Sequence, residues 1–342
     1  VLDAAGIDLV VIHQLLGFGP GIVEALGRWS RHRRAIAYIH DFYSACPRVT
    51  LINAVDNFCG VQSADVCDRC VAMGGAHEAS RMTMLSVGEH RALFNRVLSN
   101  MRAVVAPSAD AARMVARAFP TLRVLAVPHP EHPTFTVNPD RPRDPHSIAL
   151  LGGIGPHKGA DRLLELARVA ALSHPALHFH VIGHTSQDDA LEKLPNVSIT
   201  GQYEPAELPA LVEGSRASIA LFLHVWPETY SYTLTEAVEA GMLPVVPDIG
   251  APAERVRETG WGRVFNFPMV AGELLGILDE LGRGALRELP PLDRFHTGAS
   301  IPVLRDLFSV SGAENAPSVD QALDEVVAVR AVSTIETNSE AC

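Results

Sequence analysis

Long apolar runs are missing from this sequence of 342 residues, and so is an excess of positive charge. No apolar stretch approaches the ~20 residues that a membrane-spanning helix needs. The first eleven residues, VLDAAGIDLVV, contain neither the charged n-region nor the long h-region of a secretory signal peptide. A formal net charge of −11 argues against a general nucleic-acid binder, because such proteins are usually basic. We therefore expect a cytoplasmic protein without a nucleic-acid partner, cut from a longer chain.

Two common nucleotide-binding motifs are also missing. In LLGGIGPHKGADRLLELA a G-x-G-x-x-G pattern would need a third glycine at position 158, which is Lys158. The next predicted strand, LHFHVIG, does not end in the acidic residue that would bind a ribose. The segment also lacks the Gly-Lys-Ser/Thr of a Walker loop. These absences weaken the alternative of a dinucleotide-dependent epimerase or dehydrogenase.

What the sequence does have is an alternation of apolar strands with amphipathic helices. The hydrophobic content of 47% is enough to fill two cores of ordinary size. The predicted strands include IDLVVIH, RAIAYIH, RAVVAPS, RVLAVPH, SIALLGG, LHFHVIG, NVSIT and ASIALFLH. Helical patterns between most of these strands predict an α/β protein with parallel sheets and right-handed crossovers.

A proline-rich segment at 131–146 divides this alternation into two units. Its four prolines and its lack of periodicity are typical of a linker between domains. We predict an incomplete Rossmann-like domain at 1–130, because only about four strands precede the linker, and a second Rossmann-like domain at 147–285. The remaining residues, 286–342, are predicted to form a C-terminal helix and a flexible tail.

The first candidate site is the glycine-rich turn after SIALLGG. Gly152, Gly153 and Gly155 allow a tight turn, and Pro156 suits the first position of a helix. Lys158 then falls in the first helical turn, where a cation opposes the helix dipole at a cost of up to ~1 kcal/mol. A bound anion would reverse that cost, and a solvated lysine on a flexible loop is the alternative.

The second candidate site is the segment VWPETYSYTLTEAVEAGMLPVVPD, from 225 to 248. It combines a loop, a helix ended by Gly241 and an apolar strand. The amides at the start of the helix would form an anion-binding corner flanked by Glu228 and Glu236. These amides belong to Tyr230, Ser231, Tyr232 and Thr233. A capping box of Thr233 with Glu236 is the structural alternative, but it leaves Glu228 unexplained.

Four cysteines form a third candidate site in the loop 42–80. Cys46, Cys59, Cys67 and Cys70 follow the spacing C-x12-C-x7-C-x2-C, and the last pair has the spacing of zinc ligands. A structural Zn²⁺ that orders the loop is our leading interpretation, and disulfides or free thiols are the alternatives. Four thiolates would leave no open position on the metal for chemistry.

The motifs of the second unit resemble those of family 4 retaining glycosyltransferases, which have the GT-B fold of two facing Rossmann-like domains. WPETYSYTLTEAVEAGMLPVV resembles the E-x(7)-E signature of that family, and Lys158 matches its phosphate-binding lysine. An arginine that many members carry a few residues earlier is missing here, where Gly153 and Ile154 stand. In the first unit, IHDFYSACPR resembles a subset of the family in which a histidine, here His40, lies beside the donor sugar.

The resemblance, which covers roughly residues 8–285, implies a role for each motif. Glu228 would contact hydroxyls of the donor sugar, Glu236 would bind the ribose, and Lys158 with the loop amides and Gly155 would hold the diphosphate. Asp41, next to His40, is a weaker candidate. The family needs no divalent cation to bind its donors, so no cofactor is expected for catalysis.

The implied function is the transfer of a sugar from a nucleotide-diphosphate sugar to a glycan or lipid-linked acceptor, as in polysaccharide or cell-envelope biosynthesis. The arginine-rich stretch GRWSRHRR, 27–34, could contact anionic lipid at the inner face of a membrane, although cations at a helix C-terminus are commoner. A non-catalytic module that binds nucleotide sugars within a larger assembly is the alternative.

Overall fold

A computed structural model of the protein describes residues 7, 9–131 and 141–283. These residues fall into two compact units. The first lies within 1–49 and 60–127, and the second within 50–59 and 128–302. None of the helices in this described part combines the length and apolar character that crossing a membrane takes.

The first unit contains a parallel sheet in the order β1-β2-β3-β4. Its strands are β1 (Leu9–Ile12), β2 (Arg34–Tyr38), β3 (Ala103–Ala106) and β4 (Val124–Ala126). Its helices are α1 (Pro20–Ser30), α2 (Ala64–Gly74), α3 (Val87–Leu98) and α4 (Ala109–Ala118). Ile36, Val105 and Leu125 are fully or almost fully buried and form a core along the middle of the sheet.

The second unit contains a six-stranded parallel sheet. Its strands are β5 (Asp144–Ile154), β6 (His178–Thr185), β7 (Val197–Ile199), β8 (Ala217–Leu221), β9 (Leu243–Pro247) and β10 (Arg263–Phe265). Its helices are α5 (Ala160–Ser173), α6 (Asp188–Leu191), α7 (Leu208–Ser215), α8 (Tyr232–Glu239), α9 (Gly250–Thr259) and α10 (Ala271–Arg283). Short 3₁₀ turns lie at Pro156–Lys158 and Pro205–Glu207.

The strand order of this second sheet, β10-β9-β8-β5-β6-β7, is that of a doubly wound dinucleotide-type fold. The order reverses between β5 and β8, so the crevice outside the carboxyl ends of these two strands is the expected place for a ligand. The predicted α/β class with Rossmann-like parallel sheets is confirmed.

Both faces of the second sheet are covered, as the apolar strand sequences predict. Along β5, Ile148 and Leu150 join a core that includes Leu163 of α5 and Leu278 of α10. Ala149 and its neighbours on the opposite face pack against α7 and α8. The sheet is therefore a rigid middle layer from which the loops at its carboxyl edge project.

Two boundaries differ from the sequence predictions. Helix α2 lies inside the cysteine-rich loop, where no helix was predicted; Cys67 and Cys70 are three residues apart, a spacing that suits one helix face as well as a metal. Strand β5 begins at Asp144, inside the predicted linker, beside the buried Arg141, which donates a hydrogen bond to the carbonyl of Ala217 at 2.6 Å. The predicted C-terminal helix and tail, 286–342, lie outside the described residues.

The contact between α1 and α3 at Gly27 yields a stability prediction. A Cβ atom at Gly27 would lie 2.8 Å from Cγ2 and 3.3 Å from Cα of Val97. We expect Gly27→Ala to lower the free energy of unfolding by about 1–3 kcal/mol, because this overpacking outweighs the better helix propensity of alanine. The matched control is Gly21→Ala in the same helix, where a Cβ meets open space. Urea denaturation should show Gly21→Ala at least as stable as the wild type; equal losses for the two variants would contradict the packing.

A buried histidine makes the first unit sensitive to acid. His90 is fully buried, and its Nε2 lies 2.6 Å from the carbonyl oxygen of Tyr43. Burial lowers the pKa of His90 to about 4, although the hydrogen bond with Tyr43 opposes the shift. Because this pKa lies below that of the unfolded chain, the stabilisation is present above pH 6.5 and is lost as the pH falls toward 4.

We expect His90 to account for up to about 3 kcal/mol of the stability lost between pH 6.5 and pH 4. His90→Gln, which cannot titrate, should flatten the dependence of the free energy of unfolding on pH in this window. His32→Gln, at an exposed position of the same unit, should keep the wild-type slope. An unchanged slope in His90→Gln would show that His90 is not the acid-sensitive group.

Candidate functional site

The turn after β5 and the loop after β8 lie in direct contact at the switch point of the second sheet. The amide of Val225 donates a hydrogen bond to the carbonyl of His157 at 3.0 Å. Gly159 has a φ of 91°, and a Cβ there would lie 2.1 Å from the carbonyl oxygen of Leu223. Only glycine fits so close an approach, so the glycine fixes the lysine-bearing turn against the loop that carries Glu228.

Lys158, one of two lysines in the chain, ends the 3₁₀ turn that precedes α5 and is half-buried. Burial raises the pKa of Glu236, the carboxylates of Glu239 and Glu131 raise it further, and Lys158 lowers it. The positive charge of Lys158 therefore favours the ionised form of Glu236.

Glu228 is 8% exposed, and its backbone is held on both sides. Its amide donates to the carbonyl of Trp226, and its carbonyl accepts from the amide of Ala251 at 2.8 Å. Burial lowers the pKa of the neighbouring His224, the carboxylate of Glu228 opposes that shift and Lys158 adds to it. The charges of Glu228 and Lys158 thus act in opposite directions on the same buried imidazole.

The helix α8 begins at Tyr232 with an unusual cap. Ser231 has a φ of 106° and makes no capping hydrogen bond with its side chain. In the described part of the chain, no acceptor pairs with the backbone amides of Ser231, Tyr232 or Thr233. These amides, with the positive end of the helix dipole behind them, have the arrangement that suits an anion, and their role in binding one stays a prediction.

The alternative capping box of Thr233 with Glu236 is wrong. The helix starts one residue before Thr233, so Glu236 is not at the third helical position that a capping box requires. The hydroxyl of Thr233 lies 3.2 Å from that of Ser231 instead. Glu236 is left to face a cavity.

That cavity has a volume of about 550 Å³, within the range of ligand sites. Its walls come from the turns after β5 and β6, the segment before α7, and α8. The lining residues include Gly152, Gly153, Gly183, His184, Tyr203 and Glu236. Sequence analysis missed His184 and Tyr203, which belong to no recognised motif. Burial raises the pKa of Tyr203, and the carboxylate of Glu236 adds to this effect.

A buried polar network, also missed from the sequence, supports the strained residue Ser231. Arg255 forms an ion pair with Glu131 at 3.2 Å, and Thr235 donates its hydroxyl to the same carboxylate at 2.7 Å. Arg255 also donates to the carbonyl of Ser231 at 2.8 Å and lies 4.5 Å above the ring of Tyr230. The network holds a backbone conformation that costs of order 1–3 kcal/mol when left unsupported.

The predicted site residues of the first unit lie at the carboxyl end of β2. The exposed His40 places its Nε2 2.8 Å from Nδ1 of His13, and its ring stacks on Tyr38. Partial loss of solvent around the ring, against His13 and Tyr38, lowers the pKa of His40; the charge of His13 lowers it further, and Asp41 opposes the shift. Asp41 accepts a hydrogen bond from the side chain of Gln14. The roles of His40 and Asp41 in binding a sugar stay predictions.

The four cysteines are free thiols, and no disulfide joins them. Burial raises the pKa of Cys46, and the nearby Cys67 and Cys70 add to this effect. Cys59 belongs to the other compact unit, where its thiol donates to the carbonyl of Leu51 at 3.2 Å. Within the described ranges no group of three or more His, Cys, Asp or Glu side chains is placed to hold a metal ion. The structure does not assemble the four-thiolate site, and zinc stays a prediction.

The close approach of Gly250 to the backbone of Glu228 predicts how a larger residue at position 250 changes the stability of the protein. A Cβ at Gly250, where φ is 72°, would lie 2.7 Å from the amide nitrogen of Glu228. Gly260, at the other end of α9, has a φ of 69° and open space around it, which makes it the matched control.

We expect Gly260→Ala to lower the free energy of unfolding by about 1 kcal/mol through backbone strain alone. Gly250→Ala should lower it by about 2 kcal/mol more, because the methyl group also displaces the backbone of Glu228. Urea denaturation of both variants measures the difference. Equal losses would mean that Gly250 does not hold Glu228.

Part of the chain, which includes most of the residues described above for the second unit, matches a known protein family. Residues 134–280 match the family model described as "Glycosyl transferases group 1". No curated protein sequence matched the chain. The family match covers the glycine turn, the loop after β8 and the cavity-lining residues.

Solved structures extend the similarity to most of the chain. TarM of S. aureus is 13% identical, with a TM-score of 0.57 over 88% of this chain and 54% of TarM. HepE of Anabaena, in complex with UDP and glucose, is 14% identical, with a TM-score of 0.55 over 90% of this chain and 76% of HepE. Sucrose-phosphate synthase from Thermosynechococcus elongatus is 16% identical, with a TM-score of 0.59 over 91% of this chain and 76% of the synthase.

The chain spans about half the length of TarM, 54%. At these identities the structural similarity establishes the fold alone. The chain therefore has the GT-B fold of two Rossmann-like units, and its second unit matches the family model of the group 1 glycosyl transferases.

Proposed function

We propose that the chain is a retaining glycosyltransferase that moves a sugar from a nucleotide-diphosphate sugar to a glycan or lipid-linked acceptor. The observation that carries the proposal is the grouping of Lys158, Glu228 and Glu236 around one corner of the second unit. The turn that carries Lys158 contacts the loop that carries Glu228 through the hydrogen bond from the amide of Val225 to the carbonyl of His157. Glu236 lies in α8, the helix that follows this loop. The complex of HepE with UDP and glucose supports a nucleotide sugar as the donor class.

The diphosphate is proposed to bind at the start of α8. Its negative charge suits the ammonium group of Lys158 and the amides of Ser231, Tyr232 and Thr233, which have the helix dipole behind them. As the bond to the sugar breaks, charge grows on the leaving phosphate, and these same groups stabilise it. A diphosphate stabilised in this way leaves without a proton from a general acid.

The two carboxylates are proposed to orient the donor. Glu236, at the wall of the cavity, accepts hydrogen bonds from the ribose hydroxyls. Glu228, buried and fixed through its backbone, accepts hydrogen bonds from hydroxyls of the sugar. Glu228 acts by positioning and not as a nucleophile. The acceptor hydroxyl is proposed to attack the anomeric carbon from the face that the leaving group vacates, with its proton passing to an oxygen of the departing diphosphate, so the anomeric configuration is retained.

Catalysis is proposed to need no divalent cation, because Lys158 and the helix amides supply the positive charge. A zinc ion bound by the cysteines would be structural. The acceptor is proposed to belong to polysaccharide or cell-envelope biosynthesis, and the arginine-rich stretch 27–34 would favour an anionic acceptor or membrane surface.

A thermal-shift panel on the intact chain tests the site. The ligands are UDP, GDP, dTDP, their glucose conjugates and NAD, each with and without EDTA. We expect one nucleoside diphosphate to raise the melting temperature, and Lys158→Ala to weaken its binding about tenfold or more, because a charge-assisted contact is lost. Lys193→Ala, at the other lysine of the chain, which is exposed, is the control and should keep the full shift.

The same panel separates the roles of the two carboxylates. Glu228→Gln should leave protection by the nucleoside diphosphate unchanged and remove the extra protection that the sugar provides. Glu192→Gln, at an exposed position, should change neither. Protection by NAD alone, or full protection of both Lys158→Ala and Glu228→Gln, would contradict the proposal, and an inverted anomeric configuration in the product would exclude retention.

A further inference from the structure

We infer that His184 contacts the diphosphate of the donor from the side of β6, in the space that the missing side chain of Gly153 leaves open. The inference rests on the proposed function, since it names a further contact of the same donor site. It adds a residue that no motif indicates and that lies on β6, whereas Lys158 lies in the turn after β5.

Cross-strand register places His184 at the glycine turn. In the parallel pair β5–β6, His184 lies opposite Gly153, and Gly183 lies opposite Gly152. Gly183 has a φ of 134°, and a Cβ there would lie 2.1 Å from the carbonyl oxygen of Gly152. The two strands therefore stay in close contact up to their carboxyl ends, and His184 lies beside the glycine turn that follows β5.

The ring of His184 occupies the space above Gly153. A Cβ at Gly153 would lie 3.3 Å from Cε1 and 3.4 Å from Nε2 of the imidazole. The backbone of Gly153, unlike that of Gly152 with its φ of 92°, lies outside the left-handed region, so it would accept a side chain. A side chain at position 153 would meet the ring of His184, so the two positions share one space.

Among the described residues that line the cavity, His184 has the one basic side chain, and Glu236 has the one carboxylate. An N–H of the imidazole is therefore the contact that this lining offers to a phosphate oxygen. Neither nitrogen of the exposed His184 ring has a hydrogen-bond partner among the described residues, so both are available to a ligand.

The position of the ring relative to α8 identifies the part of the donor that it meets. A Cβ at Gly152 would lie 3.5 Å from Cγ2 of Thr233, in the first turn of α8. The glycine turn therefore contacts the first turn of α8 at Gly152 and the ring of His184 at Gly153. His184 and Glu236 of α8 line the same cavity. In this inference the imidazole meets the diphosphate there, and the nucleoside extends along the cavity toward Glu236 and Tyr203.

Calorimetric titration of the full chain with UDP, UMP and uridine tests the inference. His184→Ala should weaken UDP about tenfold, because a charge-assisted hydrogen bond is lost, and should leave uridine unchanged. His184→Gln, which keeps an N–H donor, should recover part of the loss. His174→Ala, at the far end of α5, is the control and should bind all three ligands like the wild type.

The shared space allows a second, reciprocal test. Gly153→Arg alone should weaken UDP, because the new side chain meets the imidazole. Combined with His184→Gly, the same arginine should fill the vacated space and restore binding above that of His184→Gly alone. Restoration by the pair and not by either single change is the result that the shared space predicts.

The outcomes separate this inference from the proposed function. If Lys158→Ala weakens UDP while His184→Ala does not, the inference is wrong and the donor site stands. An equal loss for uridine and UDP would mean that the ring contacts the nucleoside, which also overturns the inference. If UDP, GDP and dTDP all fail to bind the wild type, the proposed function fails and this inference fails with it.

Discussion

The backbone contact between the turn after β5 and the loop after β8 is the constraint on which the rest of the site depends. It exists because position 159 has no side chain and faces the carbonyl of Leu223 at a distance that would exclude a Cβ atom. Gly250 repeats the arrangement on the other side of the loop, against the backbone of Glu228. Glycines thus set the positions of Lys158 and Glu228 relative to each other before any side chain contributes.

A second level of organisation comes from buried charge. The pair of Arg255 with Glu131 lies out of solvent, where desolvation opposes the attraction between the two groups. Such a pair contributes little net stability, but it constrains the geometry. If either partner moves away, the other is left as an unpaired buried charge, which is strongly unfavourable. Here the constraint is applied to Ser231, whose carbonyl accepts from Arg255 and whose backbone starts α8 in an unfavourable conformation. The start of α8, with the amides of its first turn, is therefore held in one position, which is what the proposed anion site requires.

Much of this arrangement could be predicted from the sequence, since it depends on local patterns. The alternation of strands and helices indicates parallel sheets, and the glycines around Lys158 mark a turn after a strand. The residues that sequence analysis missed are defined by distant contacts. Glu131 and Arg255 are 124 positions apart, and nothing near either one indicates a partner. His184 reaches the site only through the register of β5 with β6, which strand patterns do not specify. The three-residue spacing of Cys67 and Cys70 fits a pair of metal ligands and one face of a helix equally well, and the structure shows a helix there.

The central claim is that the corner formed by Lys158 and the start of α8 binds the diphosphate of a nucleotide sugar. The most direct measurement is a crystal structure of the chain with UDP or the nucleoside diphosphate that protects it best. The account predicts phosphate oxygens within about 3.2 Å of the ammonium nitrogen of Lys158 and of the backbone amides of Tyr232 and Thr233. A diphosphate bound away from these groups, or the same corner filled by packed side chains, would contradict it.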